Sequence, residues 1–225
     1  CLRIIKGIVE KVGAVPSVLA FGYPDLLITD DEYKLLFGES FVLENVKVRD
    51  DSEEIIRWHG RQNILTKIYD SYSIFEAIGC ELVIADVKEI RGGELVLDLN
   101  FAVEHEVKYD LVYDGGTIEH CFNIGQAMLN MTYLTKVGGY ILHVNPLNMI
   151  NHGFYNLSPT FYYDYYIQNL HTLCDLRTLR NGVLSNNITN PTKRFFLDSE
   201  HVILCVAQKK NEKHSGYPMQ TKYRD

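Results

Sequence analysis

The chain has no Cys-x-x-Cys pair, no Gly-x-Gly-x-x-Gly, no dense basic cluster and no long apolar run, and each absence removes a class of function. Its five cysteines, Cys1, Cys80, Cys121, Cys174 and Cys205, are far apart and odd in number, which argues against a zinc site or a disulfide framework. They read as reduced, structural thiols of a cytosolic protein. No segment approaches the ~20 apolar residues of a membrane span, so no membrane partner is expected. Net charge is −7 and the basic residues are dispersed, so nucleic acid is not an expected partner. Residues 1–7 carry neither a signal-peptide pattern nor an initiator Met, which reads as a trimmed chain of cytoplasmic location. In that setting the glycosylation-like triplets at Asn130 and Asn187 are chance matches. Without a Gly-x-Gly-x-x-Gly opening a helix, a dinucleotide oxidoreductase is a distant option.

What remains is a 225-residue chain, 46% hydrophobic and 23% charged, enough for one large domain or one domain with an insertion. Strand-like and helix-like segments alternate, which argues for an α/β fold with a mainly parallel sheet and helices on both faces. Residues 2–12 read as a helix stopped by Gly13, residues 16–22 as a buried strand ending in glycine, and residues 30–38 as a short helix with an acidic first turn. The pattern weakens over 39–72, which holds a charged run at 49–54 and the only tryptophan, Trp58. That stretch reads as an insertion, a lid or substrate-side element, or equally as a solvated connector. A helix at 71–78 closed by Gly79, a strand at 81–86, a turn at Gly92-Gly93 and a strand at 94–98 follow. Later segments are a helix at 121–136, a strand at 140–144, a polar loop at 145–159 and an aromatic helix at 160–173. Residues 194–198 and 201–207 read as a terminal antiparallel hairpin, and 209–225 as a frayed tail.

The most informative stretch is 109–120, Tyr-Asp-Leu-Val-Tyr-Asp-Gly-Gly-Thr-Ile-Glu-His. It reads as a buried strand running into a glycine pair and then opening a helix that carries Glu119 and His120. Gly115 and Gly116 permit a sharp turn and close backbone approach to a ligand. Ligands of open α/β sheets bind just beyond the carboxyl ends of strands. Two further strands end in acidic residues, Asp86 and Asp98-Leu99-Asn100. A strand-end carboxylate can accept both ribose hydroxyls, although such an Asp also begins turns or caps helices.

Together, Asp86, Asp98-Leu99-Asn100, the 109–120 block and Lys136-Val137-Gly138-Gly139-Tyr140 resemble class I S-adenosylmethionine-dependent methyltransferases, over about residues 15–29 and 71–207. The loop from Asn145-Pro146 to Ser158-Pro159 is similar to a substrate-side loop of a bacterial small-molecule subgroup. The resemblance implies a single three-layer α/β/α Rossmann-like methyltransferase domain, its sheet mostly parallel with a C-terminal antiparallel hairpin. It implies S-adenosyl-L-methionine as cofactor and a small-molecule acceptor, such as a metabolite or sugar, methylated on oxygen or nitrogen. By the same resemblance Gly22 approaches the methionine part, Asp86 holds the ribose, and Asp98 with Leu99 holds the adenine. Asp114, Gly115 and Gly116 then floor the cofactor site near the sulfonium. The chain departs from the family at the first turn, where Phe21-Gly22-Tyr23-Pro24-Asp25 stands for Gly-x-Gly-x-Gly and Pro24 removes a backbone donor. Gly22 and Asp86 also lie farther apart than the usual ~20 residues of a nucleotide-binding βαβ unit. A repurposed domain of the same fold with weak or no cofactor binding is the alternative.

Methyl transfer from a sulfonium needs alignment, and a base if the acceptor is a hydroxyl or amine. His120 is the leading candidate, because an imidazole titrates near neutrality, and His152, from the polar loop, is the second; His120 reads alternatively as a helix-start residue bonded to backbone. Asn148, Tyr155 and Ser158 are candidates to orient the acceptor. His143, inside a strand pattern, reads as a satisfied core histidine, and the tyrosines of 161–166 as core more than pocket wall. Glu119, His120 and His152 are all capable metal ligands; the stretch is similar to the Glu-x-x-Glu-His arrangement of some RNA-end methyltransferases, but its first acidic position is Gly116 here, and no metal is expected.

Overall fold

The structure, a computed structural model, describes residues 1–38, 41, 43–189, 193–213 and 215–224. It separates into two compact units, residues 1–16 with 23–82, and residues 17–22 with 83–225. Parts of the expected insertion (39, 40 and 42) and of the expected tail (214 and 225) lie outside the described residues.

The larger unit is organised by a sheet of β1 (Ser17–Phe21), β2 (Glu81–Asp86, whose first two residues fall in the other unit), β3 (Leu95–Val96), β4 (Tyr109–Asp114), β5 (Thr135–Pro146), β6 (Thr172–Arg180), β7 (Val183–Leu184) and β8 (Val202–Gln208). Spatial order is β3-β2-β1-β4-β5-β8-β6-β7. The pairs β2/β3, β1/β4 and β4/β5 are parallel, while β8 runs antiparallel to both β5 and β6. Consecutive residues Val18, Leu19 and Ala20 are all fully buried, as a parallel strand covered on both faces requires. One face packs on α5 (Ile124–Leu134) and α6 (Pro159–Gln168): Met128, Met131, Tyr162 and Tyr166 share a core with Leu19, Val112, Ile141 and Ile203. The chain goes from β1 outward to β2 and β3, then returns to place β4 on the other side of β1. A crevice therefore opens between β1 and β4 at their carboxyl ends.

This is the expected Rossmann-like α/β architecture, with several local differences. The helix expected at 121–136 begins at Ile124, where the Asn123 side chain accepts the Gln126 N–H at 3.3 Å, and Ile118–His120 forms a separate 3-10 turn before it. That helix ends at Leu134, because Thr135 already has extended backbone and opens β5. The helix expected to reach 173 stops at Gln168, since Leu170 turns left-handed (φ 59°) and β6 begins at Thr172. The C-terminal antiparallel element is present, but β8 pairs with β5 and β6, and 194–198 form no strand. The β6–β7 hairpin turns through Asn181 and Gly182, both at positive φ as a two-residue primed turn demands. Tail residues make hydrogen bonds with α6 and the residue after it: Thr221 N–H donates to Asp164 at 3.1 Å, and Gly216 N–H to Asn169 Oδ1 at 2.8 Å.

The smaller unit holds α1 (Leu2–Val12), α2 (Asp30–Phe37), α3 (Ser52–Trp58) and α4 (Ser71–Ile78). Thr29 and Glu32 form a reciprocal capping box at the start of α2. Within 39–72, the buried Arg49 donates to Asp25 at 2.5 Å and twice to Asp51 at 2.9 Å, and Ile56, Leu65 and Ile68 make a small core.

Two glycines with opposite surroundings test this packing. A Cβ on Gly139, at the β4/β5 pairing, would lie 2.9 Å from the carbonyl oxygens of Asp110 and Lys136, whereas one on Gly7 inside α1 meets nothing within 4 Å. Urea unfolding should show Gly139→Ala destabilised by about 1–3 kcal/mol and Gly7→Ala stabilised by about 0.5–1 kcal/mol.

Candidate functional site

At the carboxyl ends of the strands lies a cleft of about 260 Å³ lined by Gly22, Asp86, Asp98, Leu99, Gly116 and His120, with Thr117 beside them. Gly22 follows β1 at φ 73°, and its N–H donates to Ala85 O at 2.8 Å. Asp86 ends β2 and accepts Val87 N–H at 2.7 Å. Asp98 Oδ1 accepts both the N–H (2.9 Å) and the side-chain amide (2.8 Å) of Asn100. Each of these bonds uses one oxygen of the carboxylate, so the turn-forming role of both aspartates is real and sits beside any ligand role. Leu99 is buried, and Asn130 of α5 donates to Leu99 O at 3.1 Å and to Phe101 O at 2.8 Å, fixing the turn after β3.

The turn after β4 is built from inside. Asp114 is fully buried and does not line the cleft. Its Oδ1 accepts Thr117 N–H (2.9 Å) and Ile118 N–H (3.4 Å), and its Oδ2 accepts from His143 Nδ1 (2.8 Å) and Asn145 Nδ2 (2.9 Å). Because the carboxylate only accepts, His143 carries its proton on Nδ1, and its Nε2 accepts a hydrogen bond from the Tyr166 hydroxyl, 2.5 Å away. His143 is thus the satisfied core histidine the strand pattern indicates. Gly115 is also outside the cleft lining; its Cβ would lie 2.8 Å from Tyr113 Oη. Gly116, in the lining, has φ 104°, a conformation side chains rarely adopt.

Glu119 is fully buried in the 3-10 turn. Asn145 Nδ2 donates to its Oε2 at 3.0 Å, while Oε1 has no hydrogen-bond partner among the described residues and lies 3.5 Å from His152 Nε2. Burial first, and the nearby Asp114 charge second, raise the Glu119 carboxyl to about 7. Burial first, and the His152 imidazole second, lower the pKa of His120, whose ring centroid is 5.4 Å from that of His152. The loop bearing His152 is pinned to the turn by Phe154 N–H and Tyr155 N–H, which donate to Glu119 O at 2.8 and 3.3 Å. Close approach requires Gly153, whose Cβ would meet Glu119 O at 2.9 Å and His120 Nδ1 at 3.1 Å.

The residues named as acceptor contacts are dispersed. Asn148 and Ser158 line a different cavity of about 670 Å³, together with Lys193, Arg194 and Phe195. Asn148 also accepts His201 N–H and donates to Ser199 O, both at 2.8 Å, and Tyr155 Oη donates to Phe122 O at 2.9 Å. Asn145, Tyr162 and Thr117 were not among the sequence candidates. Tyr162 Oη donates to Asn145 Oδ1 at 2.5 Å, so Asn145 spends its whole amide linking Asp114, Glu119 and α6. The available signal was a lone Asn closing an apolar strand.

No family model matches the chain, and no curated protein matches it in sequence. Solved structures do match. The Burkholderia thailandensis 1,6-didemethyltoxoflavin N1-methyltransferase, solved with 1,6-didemethyltoxoflavin and S-adenosylhomocysteine, aligns over 93% of this chain and 76% of its own, with 12% identity and a TM-score of 0.51. The N-methyltransferase NodS of Bradyrhizobium japonicum, in complex with S-adenosylhomocysteine, covers 93% of this chain and 86% of its own at 9% identity, with a TM-score of 0.41. The match to the B. thailandensis structure shows that the chain has the fold of the class I S-adenosylmethionine-dependent methyltransferases. No helix among the described residues is long and apolar enough to cross a membrane.

Asn145 gives the sharpest test of the buried network. Asn145→Ala leaves Asp114 and Glu119 each one donor short and should cost about 2–5 kcal/mol in urea unfolding, whereas Tyr162→Phe, which removes one hydroxyl, should cost about 1–2 kcal/mol.

Proposed function

We propose that this chain is an S-adenosylmethionine-dependent methyltransferase that transfers a methyl group to oxygen or nitrogen of a small molecule. The observation that carries the reading is the switch-point cleft, in which Gly22, Asp86, Asp98, Leu99 and Gly116 converge from four different strand ends. Its 260 Å³ is just below the ~300–1,000 Å³ of drug-sized ligand sites, a scale suited to the adenosyl part of the cofactor. In this reading Asp86 accepts the ribose hydroxyls, the Leu99 turn takes the adenine edge, and Gly22 and Gly116 leave room for the sulfonium end. Asp114, through its buried carboxylate, and Gly115, through its backbone, act as positioning residues of the turn. The B. thailandensis protein of the same fold holds S-adenosylhomocysteine, the demethylated form of that cofactor.

Methyl transfer is an in-line displacement: the acceptor lone pair forms the new bond to carbon as the carbon–sulfur bond breaks, and the electron pair stays on sulfur. The protein's task is alignment, exclusion of water and management of the acceptor's proton. His120 lines the cleft and faces His152, and its lowered pKa leaves a lone pair available at neutral pH. We assign His120 and His152 to the acceptor; Asn148 and Ser158 line the separate 670 Å³ cavity, and Tyr155 holds the His152 loop through Phe122 O, so none of the three is given an acceptor contact.

Calorimetry with S-adenosylhomocysteine and S-adenosylmethionine tests this reading. Saturable one-to-one binding is expected, and Asp86→Ala should weaken it about 10–100-fold, the loss of about 1.5–3 kcal/mol of charge-assisted hydrogen bonding. Absence of saturable binding to folded protein moves the chain to the alternative, a methyltransferase fold kept without its cofactor. Unchanged affinity in a folded Asp86→Ala variant overturns the ribose assignment.

A further inference from the structure

We propose that Glu119, His120 and His152 form a binding site for one divalent cation of the first transition series. One ligand atom from each of the three residues lies within 4.8 Å of the other two. Metal–ligand distances of about 2.0–2.2 Å place neighbouring ligands about 3–3.5 Å apart in tetrahedral or octahedral geometry. Glu119 Oε1 and His152 Nε2, 3.5 Å apart, already stand at that spacing. His120 and His152 are both exposed, so burial fixes neither ring in place.

A second, independent observation points to the same place. Glu119 is fully buried, yet Oε1, the oxygen facing His152, has no hydrogen-bond partner among the described residues. Its other oxygen is held by Asn145, which is itself held by Tyr162. A carboxylate fixed through one oxygen by a hydrogen-bonded neighbour, with the other directed at imidazoles, is how outer-shell groups orient a metal ligand. The backbone supports the same arrangement: Gly153 and the two bonds to Glu119 O hold the His152 loop against the turn that carries Glu119 and His120. Two imidazoles and one carboxylate suit zinc or iron best, manganese less, and magnesium or calcium least, since the last two prefer all-oxygen sets.

Three protein ligands leave at least one coordination position for water or for an acceptor atom. His120 belongs both to this cluster and to the lining of the 260 Å³ cleft, so the cation would sit at the cleft's edge. There it would lower the pKa of a coordinated acceptor hydroxyl, a task otherwise assigned to His120, whose lone pair would now be committed to the metal. This catalytic role rests on the methyl-transfer reading; cation binding itself does not.

The test is calorimetry and thermal unfolding of the full chain, stripped with chelator and titrated separately with MnCl2, ZnCl2, MgCl2 and S-adenosylhomocysteine. One-to-one binding of Mn2+ or Zn2+ is expected, at least 10-fold tighter than Mg2+, with a rise in the unfolding midpoint. Glu119→Gln, which keeps the shape, and His152→Ala, at an exposed position, should each weaken Mn2+ binding at least 10-fold with unchanged circular dichroism. No saturable metal binding, or equal binding by both folded variants, overturns the site. Cofactor binding without metal binding defeats this proposal alone, and metal binding without cofactor binding defeats only the methyltransferase reading.

Discussion

The candidate site depends on one buried carboxylate. Asp114 has no solvent exposure and accepts four hydrogen bonds, two from backbone N–H groups of the turn that follows β4 and two from side chains of β5. A buried charge is tolerated only when paired and hydrogen-bonded, and losing a partner costs far more than the pair contributes. That asymmetry gives the network its specifying power: the turn at 115–118 and the end of β5 must both be in place for Asp114 to be satisfied. Tyr162 and Tyr166 add a second tier, donating to Asn145 and His143 and so registering α6 on the same centre. An exposed pair such as Lys6–Glu10 on α1 has no comparable hold, because water replaces either partner at little cost.

The same network explains why Glu119 is peculiar. Asn145 has two amide protons and gives one to Asp114 and one to Glu119, so no donor is left for the second Glu119 oxygen. Burial, and after it the Asp114 charge nearby, raises the Glu119 carboxyl to about 7. Asp114 is committed to holding the turn. Glu119 is held by one oxygen, and the other is directed at His152, in a cluster with His120 that reaches the cleft only through His120.

Legibility in the sequence followed the range of the interactions. The bounds of α1, α4 and β2 could be read directly, because each is set by a strong apolar pattern and, for the helices, by Gly13 and Gly79 next in the chain. Strand-end residues of the cleft could also be placed, since a parallel sheet brings the carboxyl ends of its strands together whatever lies between them. β6 was missed because Asp175, Arg177 and Arg180 interrupt its apolar content, although Asn181-Gly182 after it carried a local hairpin signal. The inward direction of Asp114, the sharing of Asn145 and the approach of His152 to Glu119 were not legible. These contacts join residues 26 to 33 positions apart, and periodicity encodes which face a residue takes, not which partner it meets.

The first turn shows how far a departure from a sequence pattern reaches into structure. Where the family pattern has three glycines, this chain has one, yet that one is at the position where the backbone turns to φ 73°. Three restraints act on it at once. The register pairs Phe21 with Asp114, Gly22 N–H donates to Ala85 O, and Thr117 Oγ1 donates to Phe21 O at 3.0 Å. Thr117 is itself positioned by Asp114 through its N–H, and its hydroxyl stands 3.8 Å from where a Gly22 Cβ would be. The turn after β1 is therefore held from the turn after β4, by the buried carboxylate that also shares Asn145 with Glu119. At Gly22 the chain has lost glycine count, not the backbone turn, and the cleft's shape there is governed by Asp114 as much as by the residues of the turn itself.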